Sequence, residues 1–273
     1  MPQVEDFHIG DQARLAGKRW KASGPFACLL HAGVADHRSW DRAAPILHGA
    51  GIDVVAYDRR GFGRSSAGAQ PHTHLGDLIS LVDVVAEEKP VWLVGNSAGG
   101  GLALDAALTE PDRVAGLILF APTISGAPEP GPTDLDPDTL DLAERLETTT
   151  GDERLRVQTH LWLDGPSGPE GRVGGPARVL ALEMARGVAP SESAGDGDVE
   201  AWTVLEQIRQ PVAVAWGTLD VPAIAEQCRV LARRLPRGRL SALPGVAHLP
   251  PVEVPEMTAR FVLDAMRSLR EEG

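Results

Sequence analysis

Short, continuous apolar runs alternate with amphipathic stretches along most of the chain. "PFACLLH" (25–31), "IDVVAYD" (52–58), "PVWLVGN" (90–96), "VAGLILFAP" (114–122) and "PVAVAWG" (211–217) have strand length and no polar face, as strands buried on both sides require. Between them, "SWDRAAPILHGAG" reads as a helix closed by Gly49 and Gly51. "HLGDLISLVDVVAEE" and "AGGGLALDAALTEP" read as two more, the latter stopped before Pro111. At the start, "VEDFHIG" and "ARLAGKRW" form a hairpin around Gly10 and Asp11, at the outer part of the sheet. The chain closes with "VPAIAEQCRVLARRL" as a helix, "GRLSALPG" as a strand and "EVPEMTARFVLDAMRSLRE" as a final helix. Strands alternating with helices imply a mostly parallel sheet covered on both faces, with ligands at the carboxyl ends of its strands.

The alternation lapses between residues 123 and 210. "GAPEPGPTDLDPDTL" is rich in Pro and acid, "LDLAERLETTTGDERLRVQTHLWL" is helical, and "DGPSGPEGRVGGP" and "APSESAGDGD" are loop-like. The expected division is therefore an α/β core over 1–122 and 211–273, with a helical cap inserted at 123–210. With 273 residues the chain has room for one large domain and a sizeable core. Its formal net charge of -12 argues against a nucleic-acid partner or an anionic membrane surface. Two cysteines far apart in sequence, Cys28 and Cys228, give no disulfide framework. The N-terminus lacks a basic region followed by an apolar one, and no window is long enough for a membrane span. The expectation is a soluble cytoplasmic protein.

Chemistry concentrates where strands end. Gly95-Asn96-Ser97-Ala98-Gly99 matches G-x-S-x-G between a strand and a helix, the setting in which that motif presents a serine nucleophile on a strained turn. A serine hydroxyl needs a base, and His248 in "LPGVAHLPPVE" follows the last strand and precedes the last helix. The order serine, acid, histidine asks for a carboxylate after "PVAVAWG", which Asp220 supplies, although the same residue would also cap the next helix. Glu129 is the reserve acid. The developing oxyanion needs amide donors: Ala98 directly after the nucleophile, and Gly33, or its neighbour Val34, in "HAGVADHRSW". His31 in that stretch is expected to shape the loop.

These segments together resemble the α/β-hydrolase superfamily. "LHAGVADHRSW" is similar to its oxyanion loop, "YDRRGFGRS" to its D-x-R-G-x-G-x-S segment, "VGNSAGG" to its nucleophile elbow, "WGTLD" to its acid loop and "GVAHLP" to its histidine loop. The resemblance implies the α/β-hydrolase fold, an eight-stranded, mostly parallel sheet flanked by helices with an inserted helical cap. Two departures stand out, Ala32 in place of a common glycine and Asn96 in place of a frequent histidine; backbone donors and small volume are expected to make the site without those side chains. Ser97, where dehalogenase relatives have Asp, argues against halide displacement. Asp58 and Arg59 are expected to anchor their loop ionically. A closer resemblance, to the cap-bearing 3-oxoadipate enol-lactonase-like group, rests on "HAGVADHRSW" and "LWLDGP" and implies small ester or lactone substrates.

The expected function is a serine hydrolase without cofactor or metal, cleaving a small carboxylic ester or lactone through an acyl-enzyme. Hydrolysis of carbon–carbon bonds in diketone-like substrates and cofactor-free perhydrolase or haloperoxidase chemistry could use the same triad, and a hydrolase-fold ligand-binding protein is the alternative from another class. Val34, Trp162, Met184, Val221 and Leu249 are assigned to the substrate pocket, with plain core packing as the competing reading of Trp162 and Met184.

Overall fold

The computed structural model describes residues 3–9, 13–65, 71–86, 89–128, 130–188, 194–195 and 199–270. The chain opens with β1 (Gln3–Ile9) and β2 (Ala13–Trp20), then runs through β3 (Phe26–Leu30), α1 (Ala44–Gly49), β4 (Asp53–Tyr57), α2 (His74–Ala86), β5 (Val91–Asn96), α3 (Ala98–Thr109) and β6 (Val114–Phe120). Helices α4 (Pro137–Thr148), α5 (Gly151–Thr159) and α6 (Gly175–Arg186) follow, and the α/β rhythm resumes with β7 (Val212–Gly217), α7 (Pro222–Arg234), β8 (Gly238–Leu243) and α8 (Pro255–Arg270). The eight strands form one sheet in the order 1, 2, 4, 3, 5, 6, 7, 8. β1 and β2 are antiparallel, β2 is antiparallel to β4, and every later pairing is parallel. This is the α/β-hydrolase fold.

The apolar runs explain the layers. Every residue of β3, β4 and β5 is buried, and successive side chains point to opposite faces. Phe26, Cys28, Leu30, Val55 and Tyr57 join the core under α2, α3 and α7. Ala27, Leu29, Val54 and Ala56 join the one under α1 and α8. Both cysteines are free and buried on the first of these faces; burial pushes the Cys228 thiol up to about 12.

Three helical stretches differ from expectation. Residues 39–51 are not one helix: a 3₁₀ turn at His37–Trp40, capped by the Asp36 side chain on the Arg38 amide, precedes α1. Pro45 has no N–H to give, so the α-helix can only begin just before it. The long run at 140–163 divides into α4, α5 and a wider turn at His160–Asp164, with Gly151 at φ 58° in the break. Helix α6 was not expected. Its N-terminal loop is organised by Asp164, fully buried, whose carboxylate accepts from the Gly171 and Val173 amides and from Arg178 Nη1 at 2.7–2.9 Å. Of "APSESAGDGD", Ala194–Gly195 pairs with His72–Thr73 and the remainder lies outside the described residues, as do Gly10 and Asp11. Among the described residues no helix is long and apolar enough to cross a membrane.

Candidate active site

Ser97 sits between β5 and α3 at φ 53°, ψ -119°, a conformation that costs an L-residue about 1–3 kcal/mol. Neighbouring backbone holds it there. Its amide donates to Phe120 O at 2.9 Å, and its carbonyl accepts from Gly100 N (2.8 Å), Gly101 N (3.1 Å) and Thr123 N (3.1 Å). A side chain at Gly95 would strike the Gly99 carbonyl, and one at Gly99 would strike Leu30 O. The glycines crowd this serine because strand, turn and helix approach within backbone contact.

The structure brings the three expected side-chain segments to one end of the sheet. His248 Nδ1 lies 2.8 Å from Asp220 Oδ2, with His248 3% and Asp220 5% exposed. An ionised carboxylate only accepts, so Nδ1 carries the proton and Nε2 is the imidazole's basic nitrogen. The other Asp220 oxygen accepts from Val221 N at 2.8 Å, at the entry to α7. The expected cap is not formed: Val221 is the N-cap of α7 and no side chain caps that helix. Glu129 lies outside the described residues.

Gly33 and Ala98 are neighbours: a Cβ on Gly33 would stand 3.7 Å from that of Ala98. Neither amide has an acceptor among the described residues. The loop carrying Gly33 is braced from behind. Arg59 N donates to His31 Nε2 at 3.1 Å, which leaves His31 Nδ1 to donate to Ala32 O at 2.8 Å. Arg59 Nη2 adds bonds to the carbonyls of His31 (3.3 Å) and Ala32 (3.2 Å). Burial and the Arg59 charge hold His31 well below the ordinary histidine range, so it is a neutral brace. Asp58 anchors its loop by hydrogen bonds, accepting from His37 Nδ1 at 2.6 Å and from Arg64 N at 2.8 Å, rather than by the ionic contact expected. Arg59 likewise makes no ion pair among the described residues and grips carbonyls instead.

The inserted segment reaches the histidine. The Trp162 ring packs on the His248 ring with centroids 4.6 Å apart. Val34, Trp162, Met184 and Leu249 share one apolar cluster with Leu163 and Val252, and Val221 joins Trp162 in a second beside Leu161. Met184 is 1% and Leu249 3% exposed, so these two pack as core rather than as open wall. Trp162 and Val221 face a cavity of about 690 Å³, together with Leu146, Leu161, Trp202 and Ile224.

Several contributors escaped the sequence reading. Asn96 Nδ2 donates to Phe120 O (3.1 Å) and to His248 O (3.0 Å), tying the histidine loop to β5; its side chain matters here, contrary to expectation. Glu253 accepts from Ala247 N at 2.8 Å and from Arg172 Nη1 at 2.6 Å. Arg172 also grips the carbonyls of Leu163, Asp164 and Gly245. Two other groups, Asp36-His37-Asp58 and His72-His74-Asp77, have the spacing of metal ligands. In the first, Asp36 binds Arg38 and Asp58 binds His37; in the second, Arg60 takes both oxygens of Asp77 at 2.5 and 2.8 Å.

Comparison with known proteins agrees with this architecture. Residues 26–152 match a family model described as serine aminopeptidase, S33. Epoxide hydrolase B of Mycobacterium tuberculosis is 34% identical over 108 residues, 38% of this chain and 30% of that protein. The chain thus spans less than a third of that relative's length. The non-heme chloroperoxidase of Streptomyces lividans is 29% identical over 256 residues, covering 87% of this chain and 90% of that protein. A thermophilic esterase from Thermogutta terrifontis, solved with malate bound, superposes with a TM-score of 0.77 at 21% identity, covering 98% of this chain and 99% of that one. Sheet order, strained elbow and these likenesses agree on the α/β-hydrolase fold for this chain.

Proposed function

We propose that the chain is a serine hydrolase that cleaves a small carboxylic ester or lactone, with a site of the kind the 3-oxoadipate enol-lactonase-like group uses and with residues 123–210 as its cap. The observation that carries this reading is the buried His248–Asp220 pair at 2.8 Å, on the loops that follow the strands beyond the elbow of Ser97. In the first half-reaction Ser97 Oγ attacks the carbonyl carbon while His248 Nε2 takes its proton. The tetrahedral oxyanion is received by the Gly33 and Ala98 amides, each worth about 3 kcal/mol in the transition state. His248 then returns the proton to the leaving oxygen. In the second, water gives a proton to His248 and attacks the acyl carbon, and Ser97 leaves with that proton. Asp220 holds the imidazole in the required tautomer throughout. No step draws on a metal or cofactor. The free, buried Cys28 and Cys228 support a cytoplasmic setting.

A fluorophosphonate probe with peptide mapping tests the assignment. Folded protein is expected to be labelled at Ser97, and Ser97→Ala to lose both label and 4-nitrophenyl acetate hydrolysis. Unimpaired hydrolysis by Ser97→Ala would sink the mechanism. The near full-length likeness to a chloroperoxidase favours one second reading, in which peroxide replaces water in deacylation; peracid formation from peroxide and a short acid is its assay.

A further inference from the structure

The wide turn at His160–Asp164 delivers one side chain to the base. Gly165 N donates to His160 O at 3.0 Å, one residue further along than an α-helical bond reaches, and single turns of this kind are frequent at functional sites. The turn is locked in place. Leu163 and Asp164 are fully buried, and their carbonyls accept from Arg172 Nη2 at 2.9 Å and Nε at 2.6 Å. Gly165, at φ 86°, lies so close to the acid loop that a side chain there would strike Leu219 O. The turn thus abuts the loop of Asp220 and, through Trp162, the ring of His248. Trp162 itself does not close the core. It is half-buried between Leu161 and Leu163, which are 4% and 0% exposed, and it borders the cavity of about 690 Å³. What its ring reaches is the imidazole, at 4.6 Å between centroids and a tilt of 44°. That lies inside the roughly 6 Å over which an indole attracts a cation. His248 becomes a cation when it takes the proton of Ser97 Oγ, and again when it takes one from water. Buried as it is, that charge is poorly solvated by water, and neighbouring groups must stabilise it.

We propose that Trp162 is a positioning residue for the general base, its indole holding the His248 ring and stabilising the imidazolium formed in both half-reactions. The role rests on the hydrolase reading above and deepens it. Asp220 stabilises the same charge from Nδ1. Charged groups on the other elements packed there are engaged elsewhere: Glu253 with Arg172 and the Ala247 amide, Asp164 with Arg178, and Asp36 with Arg38. His160 Nε2 lies 2.9 Å from Gly168 O, and His31 accepts from Arg59 N. None of these contacts involves the indole, so a change confined to Trp162 reports the indole.

The test is the pH dependence of 4-nitrophenyl acetate hydrolysis by wild type, Trp162→Phe and Trp162→Leu. Leucine keeps apolar cover over the imidazole without a π face, and the space it leaves adds to a cavity already present. In Trp162→Leu, kcat/KM on the neutral plateau is expected to fall about tenfold and its acid limb to move about one pH unit lower, because the free enzyme holds its proton less firmly. The two profiles then meet at acid pH, where the resting enzyme is already charged and the indole favours ground and transition states alike. Trp162→Phe, whose ring attracts a cation less strongly, is expected to fall between. A ring that only packs would lower the plateau and leave the limb in place. A ring that only excludes water would, when shortened, send the limb to higher pH. Either result, or an unchanged profile, overturns the role. Titration of the His248 ring by NMR in Ser97→Ala gives a readout without catalysis, its midpoint expected about one pH unit lower once Trp162→Leu is added. An unmoved midpoint overturns the role as well, whereas that shift in a protein that cleaves no ester would overturn the hydrolase reading and leave the indole contact standing. Should Trp162→Leu not fold, Trp162→Phe decides, with limb and midpoint expected about half a pH unit lower.

Discussion

Asn96 spends one side-chain amide on two backbone carbonyls, those of Phe120 and His248. Truncating it leaves Phe120 O its bond from the Ser97 amide but strands the buried His248 carbonyl, at about 1–3 kcal/mol, and frees the segment that carries the imidazole. Asn96→Ala is therefore expected to lower kcat by about 10- to 100-fold while KM changes little, since a displaced base affects the transition state more than binding. Steady-state kinetics beside a thermal melt separates this from simple unfolding, and Asn96→His, which keeps a donor, should recover part of the rate. An unchanged kcat in Asn96→Ala would refute the positioning role. The placement of Ser97, Asp220 and His248 was legible because each follows the end of a strand, at Asn96, Gly217 and Leu243. Asn96 was not, because its partner is a carbonyl 152 residues away. Nothing local distinguishes it from a residue chosen for size. Arg59 was legible as an anchor, but its mode of anchoring was not, since one sequence position cannot tell a carbonyl from a carboxylate as the partner.

The strands were readable from their apolar runs, but not which side chains face which helices, because runs apolar on both faces carry no alternation to read. The helices were readable where Pro or Gly marks an end, and misread where the decisive contact is tertiary. The segment "DGPSGPEGRVGGP" looks like unstructured punctuation, yet Asp164 gathers its amides and Arg172 fastens it to the histidine loop through Glu253. This gives the insertion a mechanical link to the site that no periodicity reveals. Replacing Glu253 by Gln keeps an acceptor for Ala247 N and removes the charge facing Arg172, whose side chain is 21% exposed against 5% for Glu253. The expected loss is about 2 kcal/mol, read as a lower urea midpoint, together with a raised KM as the insertion loosens. A Glu253→Gln protein with wild-type midpoint and KM would show that the link carries no load.

At the scale of the whole molecule, acid should act through the buried histidines. Burial and then Arg59 hold His31 below its ordinary value, and the same causes lower His74 to about 4. The unfolded chain protonates these rings near pH 6.5 while the native state resists, so the unfolded state binds more protons as pH falls. Stability conferred by the neutral rings is complete above about pH 6.5 and drains away down to about pH 4. The formal charge of -12 works the other way, because neutralising acids relieves repulsion. His74→Asn separates the two: urea midpoints measured from pH 7 to 4.5 are expected to fall less steeply in the variant than in wild type. Parallel slopes would exclude His74 as a contributor. Fold and charge were both available from the sequence at this scale, whereas the histidine terms depend on enclosure by segments far apart along the chain. The indole of Trp162 carries one last consequence. The ring against His248 belongs to the inserted segment, while Ser97, Asp220 and His248 belong to the sheet. A lineage could exchange α4 to α6 and keep its reaction, altering only the ring that shields the base. On the mechanism proposed above, exchanging the insertion would change selectivity and leave the reaction in place, and the Trp162–His248 contact is where the two would meet.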